Sequence, residues 1–234
     1  MGIFKYYNFF AESFSTLMTG FGYTPNNLTL NIILPVGISF YTFQTLSYTI
    51  DIYRGSLKPT RNILSFFTYI AFFPQLVAGP IERASNLLPQ IEKPRTCDIN
   101  MLKNGFFQIL VGLFRKIVIA DNLGVYVDSV YQNAGVHNST TLIIATVFYA
   151  FQIYCDFAGY SDIAIGTAKL MGFEFKQNFN LLYFSKSLTE FWRKWHISLS
   201  FWLRDYLYIS LGGNRKGIRI TYRNLMLTML LGGL

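Results

Sequence analysis

Three long stretches of this chain contain no Asp, Glu, Lys or Arg, and that pattern constrains the fold more than any other feature. Residues 13–50 give 38 such positions, 62–81 give 20 and 129–155 give 27. A helix needs ~20 apolar residues to cross the ~30 Å hydrocarbon layer of a bilayer. The sequence therefore predicts spans over 28–50 (LTLNIILPVGISFYTFQTLSYTI), over 62–81 and around TTLIIATVFYAFQIYC. Pro74 and Pro80 should kink or end the second, since proline lacks a backbone donor. Broken helices at membrane depth are tolerated only against protein or a cavity. Two weaker candidates are GFFQILVGLF at 105–114, extended to 120 if Arg115 and Lys116 snorkel, and the tail 224–234.

Composition agrees. Of 234 residues, 52% are hydrophobic and 14% charged, against about 25% charged in a soluble domain. Disorder is excluded, because it needs low hydrophobicity and abundant charge. A soluble domain would have too little charge to cover its surface. No repeat, low-complexity tract or linker divides the chain, and its start, MGIFKYYNFF, lacks a signal-peptide layout. The expected architecture is a single membrane domain over 1–234, an all-α polytopic helix bundle.

The charge is unevenly placed. Residues 186–223 hold eight Lys or Arg against Glu190 and Asp205, which makes six of the net eight positive charges. One reading is cytoplasmic retention by the positive-inside rule. The other is an anion-binding surface for lipid head groups or a phosphate-bearing donor. Nucleic-acid binding is not expected from a chain whose remainder is membrane-like.

Cys97 and Cys155 lie in different settings, which predicts free buried thiols, with neither a disulfide framework nor a metal site. His137 sits in the loop-like QNAGVHNSTT and reads as an exposed polar residue. His196 stands in FWRKWHISLSFWLRDYLYISL at 191–211. Taken as one helix, that segment aligns Trp192, Trp195, Leu199, Trp202 and Tyr206 on one stripe. Arg193, Ser200 and Arg204 form a polar stripe beside it, with Lys194 in the same cationic cluster and His196 at the border. Such a segment reads either as an interfacial helix with a wet histidine or as a histidine at the mouth of a membrane cavity, able to move a proton.

A second candidate is YCDFAGYSDIAIGTAKL at 154–170, where Asp156 and Asp162 follow an apolar span. Carboxylates near membrane depth are costly and usually face the bundle interior. Asp156 and Tyr160 share a face, whereas Asp156 and Asp162 lie about 120° apart and form no dyad. They read either as boundary groups pairing with Lys169 or as the lining of a reaction chamber. The Gly-rich, basic LGGNRKG lacks phosphate-loop spacing and reads as a polar turn.

FFPQLVAGPIER (72–83), FQIYCDFAGYSDIAIG (151–166) and EFWRKWHISLSFWLRDYLYISLGGNRKG (190–217) together resemble the membrane-bound O-acyltransferase superfamily. The similarity is to its bacterial alginate O-acetyltransferase membrane subunits, with teichoic-acid D-alanyl transferases further off. LPVGISFYTFQTLSYTIDIYRG (34–55) and NFN (178–180) fit the same branch. The resemblance implies a many-helix bundle in the bacterial inner membrane, with no bound cofactor. An acyl group would pass from a cytoplasmic thioester donor, acetyl-CoA or an acyl carrier, toward hydroxyls of an exported polysaccharide such as alginate. Periplasmic acetyltransferase partners and membrane lipid are implied as well.

The resemblance makes His196 an accessory histidine and places the principal one in a WHG motif expected beyond Leu234. It puts Arg193 and Lys194 near anionic donor groups. It makes Asp156, Tyr160 and Asp162 part of the chamber. The N-terminal helices usual in the family are likewise expected to be missing. The rival expectations are a transporter-like bundle with relay carboxylates, or an inactive remnant.

Overall fold

The computed structural model describes residues 2–23, 29–30, 35, 37–76 and 79–233. Helix α1 (Gly2–Gly20) comes first, a 19-residue helix in a stretch where the charge pattern marked no span. After it come α2 (Ile38–Tyr53), α3 (Ile63–Ile70), α4 (Phe73–Leu76) and α5 (Ala84–Glu92). Helix α6 (Ile99–Leu113) runs without interruption through a π-helical stretch (Phe114–Ala120) into α7 (Asp121–Gln132). The longest helix is α8 (Ser139–Leu170), 32 residues. Then follow α9 (Leu188–Lys194), α10 (Ile197–Trp202) with a second π-helical stretch (Leu203–Tyr208), and α11 (Ile218–Gly233). Among the described residues there is no strand.

The expected spans are redrawn. Part of 28–50 lies outside the described residues, and among those described the helix there is Ile38–Tyr53. The 62–81 stretch is two short helices broken at Ala71 and Phe72. Asn62 caps the first by accepting from Leu64 N and Ser65 N. Pro74 stands in the first turn of α4, where a missing N–H costs nothing. The buried Gln75 donates Nε2 to the Tyr69 carbonyl left open at the end of α3.

The 129–155 stretch is cut by a turn at 133–138, and α8 starts where Asn138 Oδ1 accepts from Thr141 N. Asp156, Asp162 and Lys169 therefore lie inside this one helix rather than beyond its end. Ser139–Leu170 is the one helix, among the described residues, long and apolar enough to cross a membrane. The tail helix starts at Ile218, ahead of Arg219 and Arg223.

Helices α6 and α8 are antiparallel and touch backbone to backbone through two rungs. A Cβ on Gly105 would stand 2.9 Å from the Gly166 carbonyl oxygen, and one on Gly112 would stand 2.7 Å from that of Gly159. Small residues let helices approach this closely, and tight packing is what holds helices together in lipid. A core of Tyr69, Phe72, Leu87, Leu88, Ile165 and Phe173 then joins α3 and α5 to the C-terminal half of α8. Completely buried Leu87 alone is worth roughly 1.5–3 kcal/mol.

Arg115 and Lys116 do not snorkel. The π-helical stretch turns Arg115 to an ion pair with Asp162, and Lys116 Nζ reaches Asp156 Oδ1 at 2.7 Å and Asp121 Oδ1 at 2.6 Å. Opposite charges on facing helices meet more cheaply than cations cross to a distant interface.

Candidate functional site

The sequence around His196 is not one helix. Ser187 starts α9 by accepting the Glu190 N–H, while Glu190 Oε2 accepts from Lys186 N, much as in a capping box. Helix α9 stops at Lys194, Trp195 is extended, and His196 takes a left-handed backbone (φ 40°, ψ 57°) before α10 begins. The single Trp stripe expected over 191–211 is thereby broken. A non-glycine residue there costs of order 1–3 kcal/mol and persists only where its surroundings enforce it.

The enforcement comes from Asn178. Its carbonyl accepts the Ile197 N–H at 2.8 Å, and its Oδ1 accepts Ser198 N at 3.2 Å and Ser198 Oγ at 2.9 Å. It thus caps α10 from 20 residues away, replacing the local side chain that normally satisfies a first turn. Ser198 Oγ in turn accepts the Ile81 N–H at 3.0 Å, and Asn180 N donates to the Lys194 carbonyl. Two residues before Asn178, Lys176 N donates to Glu82 Oε1 at 2.7 Å, and Asn86 Nδ2 donates to Glu82 Oε2. Three sequence blocks, 81–83, 176–180 and 194–198, are knotted together through buried polar groups.

The His196 ring is 6% exposed, 4.7 Å from the Phe157 ring and 6.4 Å from that of Phe179. Neither ring nitrogen has a hydrogen-bond partner among the described residues. Burial pushes its pKa down to about 4, so the imidazole is neutral at physiological pH. Trp195 stands edge-on to Phe157 and Phe179 and stacks on Phe191.

Phe179 also lines a cavity of about 420 Å³ between α6, α8 and residues 177–181. Its floor is a polar chain. Lys169 Nζ donates to Gln108 Oε1 at 2.8 Å, Gln108 Nε2 donates to Asp162 Oδ1 at 3.1 Å, and Arg115 pairs with Asp162 Oδ2. Two buried atoms in the lining residues, Ser161 Oγ and Asn178 Nδ2, have no partner among the described residues.

Of the residues singled out in the sequence, the structure brings Asp162 to this cavity, and His196 and Trp195 to the adjoining aromatic wall. The others lie elsewhere. Asp156 is held by Lys116, whose Nζ also sits 5.3 Å from the centre of the exposed Tyr160 ring; neither residue lines the cavity. Trp192 and Arg193 are exposed, and Lys194 pairs with Glu190 at 2.8 Å. Ser200 Oγ donates to the Trp195 carbonyl. Arg204 bonds Asp205 at 2.7 Å and covers the Phe201 ring.

Lys169 does not pair with either carboxylate, as expected of a boundary group, but bonds Gln108. His137 is half-buried rather than exposed, and Cys97 is exposed where a buried thiol was expected; Cys155 is buried, and both are free.

Sequence reasoning missed Arg115, Gln108, Lys169 and Asn178 as site residues. A signal was present for the first, because a cation inside an apolar stretch demands a partner. Asn178 stands in the NFN (178–180) that fits the resemblance, but nothing local marks it as the cap of a helix 20 residues away. A second missed network joins Arg83 to Asp205, and Arg54 to the Asp205 carbonyl and Ser210 Oγ. Tyr206 completes it by donating to Asp51 Oδ2 at 2.7 Å. Burial pushes the Asp205 carboxyl up, but the bonds from Arg204 and Arg83 outweigh it and leave Asp205 below the usual range. Residues 211–217 form a turn fixed to α11 by Asn224 Nδ2 on the Gly213 carbonyl. Among the described residues no three His, Cys, Asp or Glu gather closely enough to hold a metal ion.

Sequence comparison adds a lineage to this geometry. The model of the membrane-bound O-acyltransferase (MBOAT) family matches residues 56–234. The chain is 50% identical over 236 positions to the probable alginate O-acetylase AlgI of Pseudomonas putida, covering 100% of this chain and 48% of that protein. It is 36% identical to the peptidoglycan O-acetyltransferase of Helicobacter pylori, over 100% of this chain and 48% of the relative. It is 31% identical to the teichoic acid D-alanyltransferase of Bacillus subtilis, over 79% of this chain and 47% of the relative. The chain spans about half the length of the curated relatives it matches. On its match over most of its residues, the chain belongs to the membrane-bound O-acyltransferase family.

Proposed function

We propose that this chain is part of a multi-pass O-acyltransferase of the bacterial inner membrane. It carries acetyl from a cytoplasmic thioester donor, acetyl-CoA or an acyl carrier, toward hydroxyls of an exported polysaccharide such as alginate. Periplasmic acetyltransferase proteins are the expected partners for the step beyond the membrane. The names of the relatives support acyl transfer to cell-envelope polymers.

The observation within the chain that carries the reading is His196: a buried, neutral imidazole whose two nitrogens have no partner among the described residues, packed on the aromatic wall of a polar cavity. A neutral imidazole can accept a proton or hold a hydroxyl in line, and such proton transfer contributes about 10²–10⁴-fold. His196 acts as the accessory histidine in this scheme, and the principal base is expected outside these residues. A transporter with relay carboxylates is less well supported, because Asp156 and Asp162 are both engaged by cations.

The test is to express the complete protein and measure acetyl ester on the polysaccharide for wild type and His196→Ala. A loss of at least tenfold is expected, within the range of general acid–base catalysis. Unchanged acetylation at equal protein level would remove His196 from the reaction.

A further inference from the structure

His196 occupies the cap position of α10, where the first N–H groups of a helix need an acceptor from outside it. Ser, Thr, Asn and Asp are preferred there, because their short side chains supply that acceptor locally from an extended backbone. The His196 side chain makes no such bond, and its backbone is left-handed. The acceptor comes instead from Asn178, whose Oδ1 takes both the Ser198 N–H and the Ser198 hydroxyl. A local Ser or Asp would cap α10 without strain and without help from a distant segment. The chain gives up that local cap and rebuilds it from 178, which leaves position 196 able to carry an imidazole.

The same short segment holds the backbone on both sides of the histidine. Before it, Asn180 N donates to the Lys194 carbonyl at 3.0 Å. After it, the Asn178 carbonyl accepts the Ile197 N–H at 2.8 Å. With 194 and 197 both tied to residues 178–180, the chain must turn in the two residues between them, and His196 takes the positive φ. Phe179, between the two asparagines, puts its ring 6.4 Å from the imidazole, and Phe157 of α8 stands 4.7 Å from it. Residues 178–180 thus supply the cap, one wall around the ring and the tether.

We propose that Asn178 is a positioning residue for acyl transfer, acting through His196: its side-chain oxygen fixes the start of α10 and with it the place of the imidazole. The role rests on the reading of His196 as part of the reaction, and goes beyond it by naming the group that holds the ring in place. A misplacement of about 1 Å can cost a reaction about 10²-fold, so a contact that never touches substrate can govern the rate. Ser198 passes the anchor on, since its Oγ accepts the Ile81 N–H at 3.0 Å. A cap that only stabilised the fold would change how much protein is folded. A positioning contact also changes the rate per folded molecule and the surroundings of the His196 ring.

The complete protein is prepared as wild type, His196→Ala, Asn178→Ala, Asn178→Asp, Ser198→Ala and the double variant Asn178→Ala/His196→Ala. Acetyl ester formed on the polysaccharide is measured in cells at equal protein level. The imidazole resonance of His196 is followed in histidine-labelled protein in detergent and identified by its loss in His196→Ala. Ring currents from Phe157 make that resonance sensitive to the pose of the ring. Asn178→Ala should move the resonance and lower acetylation about tenfold, with Asn178→Asp, which keeps an accepting oxygen, restoring most of both. In the double variant, Asn178→Ala should add nothing to the loss from His196→Ala, because contacts that act through one group are not additive. Ser198→Ala drops only the hydroxyl bond, so it should give a smaller move of the resonance, and it carries the test if Asn178→Ala does not accumulate. A resonance unmoved by these substitutions, or losses that multiply in the double variant, overturns the assignment. A resonance that moves while His196→Ala acetylates normally sinks instead the reading of His196 as a group in the reaction.

Discussion

The α6–α8 contact and the His196 junction are both held by several polar or close contacts, and they are anchored in opposite ways. Along α6, its π-helical continuation and α8 the support is repeated: two glycine rungs, two interhelical ion pairs from the π-helical stretch, and the Gln108 bridge. At 194–198 the support converges on one residue, Asn178, which bonds both Ile197 and Ser198. Repetition makes a scaffold that tolerates the loss of one polar contact. Convergence makes a junction in which one side chain sets the pose of His196, including the strain stored in its backbone.

The contrast can be broken in graded steps. The largest effect is expected from Gly112→Val, whose branched side chain would enter a gap already closed at 2.7 Å. It should destabilise by about 3 kcal/mol or more, seen as a large drop in detergent melting temperature. Gly135→Ala, which meets nothing within 4 Å, should leave melting unchanged.

Next comes Asn178→Ala, which should cost about 1–3 kcal/mol by leaving the Ser198 N–H and hydroxyl without their acceptor, while the Ile197 N–H keeps the backbone carbonyl of residue 178. Asn178→Asp keeps the accepting oxygen and should retain most of that stability. If both variants melted alike, convergence on Asn178 would be the wrong description. The two carboxylates of α8 test the scaffold. Asp162→Asn, at a site whose side chain is 17% exposed, should cost about 1–2 kcal/mol. Asp156→Asn, 44% exposed, should cost under about 1 kcal/mol, and equal losses would contradict the different environments assigned to them.

The smallest effect is a pH dependence. The His196 pKa is lowered from 6.5 to about 4 on folding. Below pH 6.5 the unfolded chain takes up a proton that the folded chain refuses, so stability falls as pH drops from 6.5 toward 4. It does not change through this group above 6.5. Melting curves across that window should flatten in His196→Phe, and an identical slope would place the titration elsewhere.

Much of the fold was legible because burial in a membrane forbids unpaired charge. The charge-free runs located the α8 span and the broken pair α3 and α4, and the placement of Asp156 and Asp162 among apolar residues marked a helix that needs partners. The partners themselves were one step away: Arg115 and Lys116 were visible as the cations that interrupt an apolar run, yet their direction depends on a π-helical turn that periodicity does not encode. The reading of 191–211 as one helix failed for a clearer reason. Its 3.6-residue pattern is real on both sides of His196, but the break is imposed by Asn178 and Ser198, whose contact bridges 20 residues.

What the sequence determined by itself was class and lineage. Sparse, clustered charge leaves only a membrane bundle, and the long motif blocks leave only one family. What the tertiary structure decided was which polar groups are satisfied and which are left open. That outcome depends on groups from distant segments arriving within 3 Å of one another, where a hydrogen bond forms or is forfeited at a cost no local pattern carries. His196, Ser161 and Asn178 stand out only once every neighbour that could have bonded them is known.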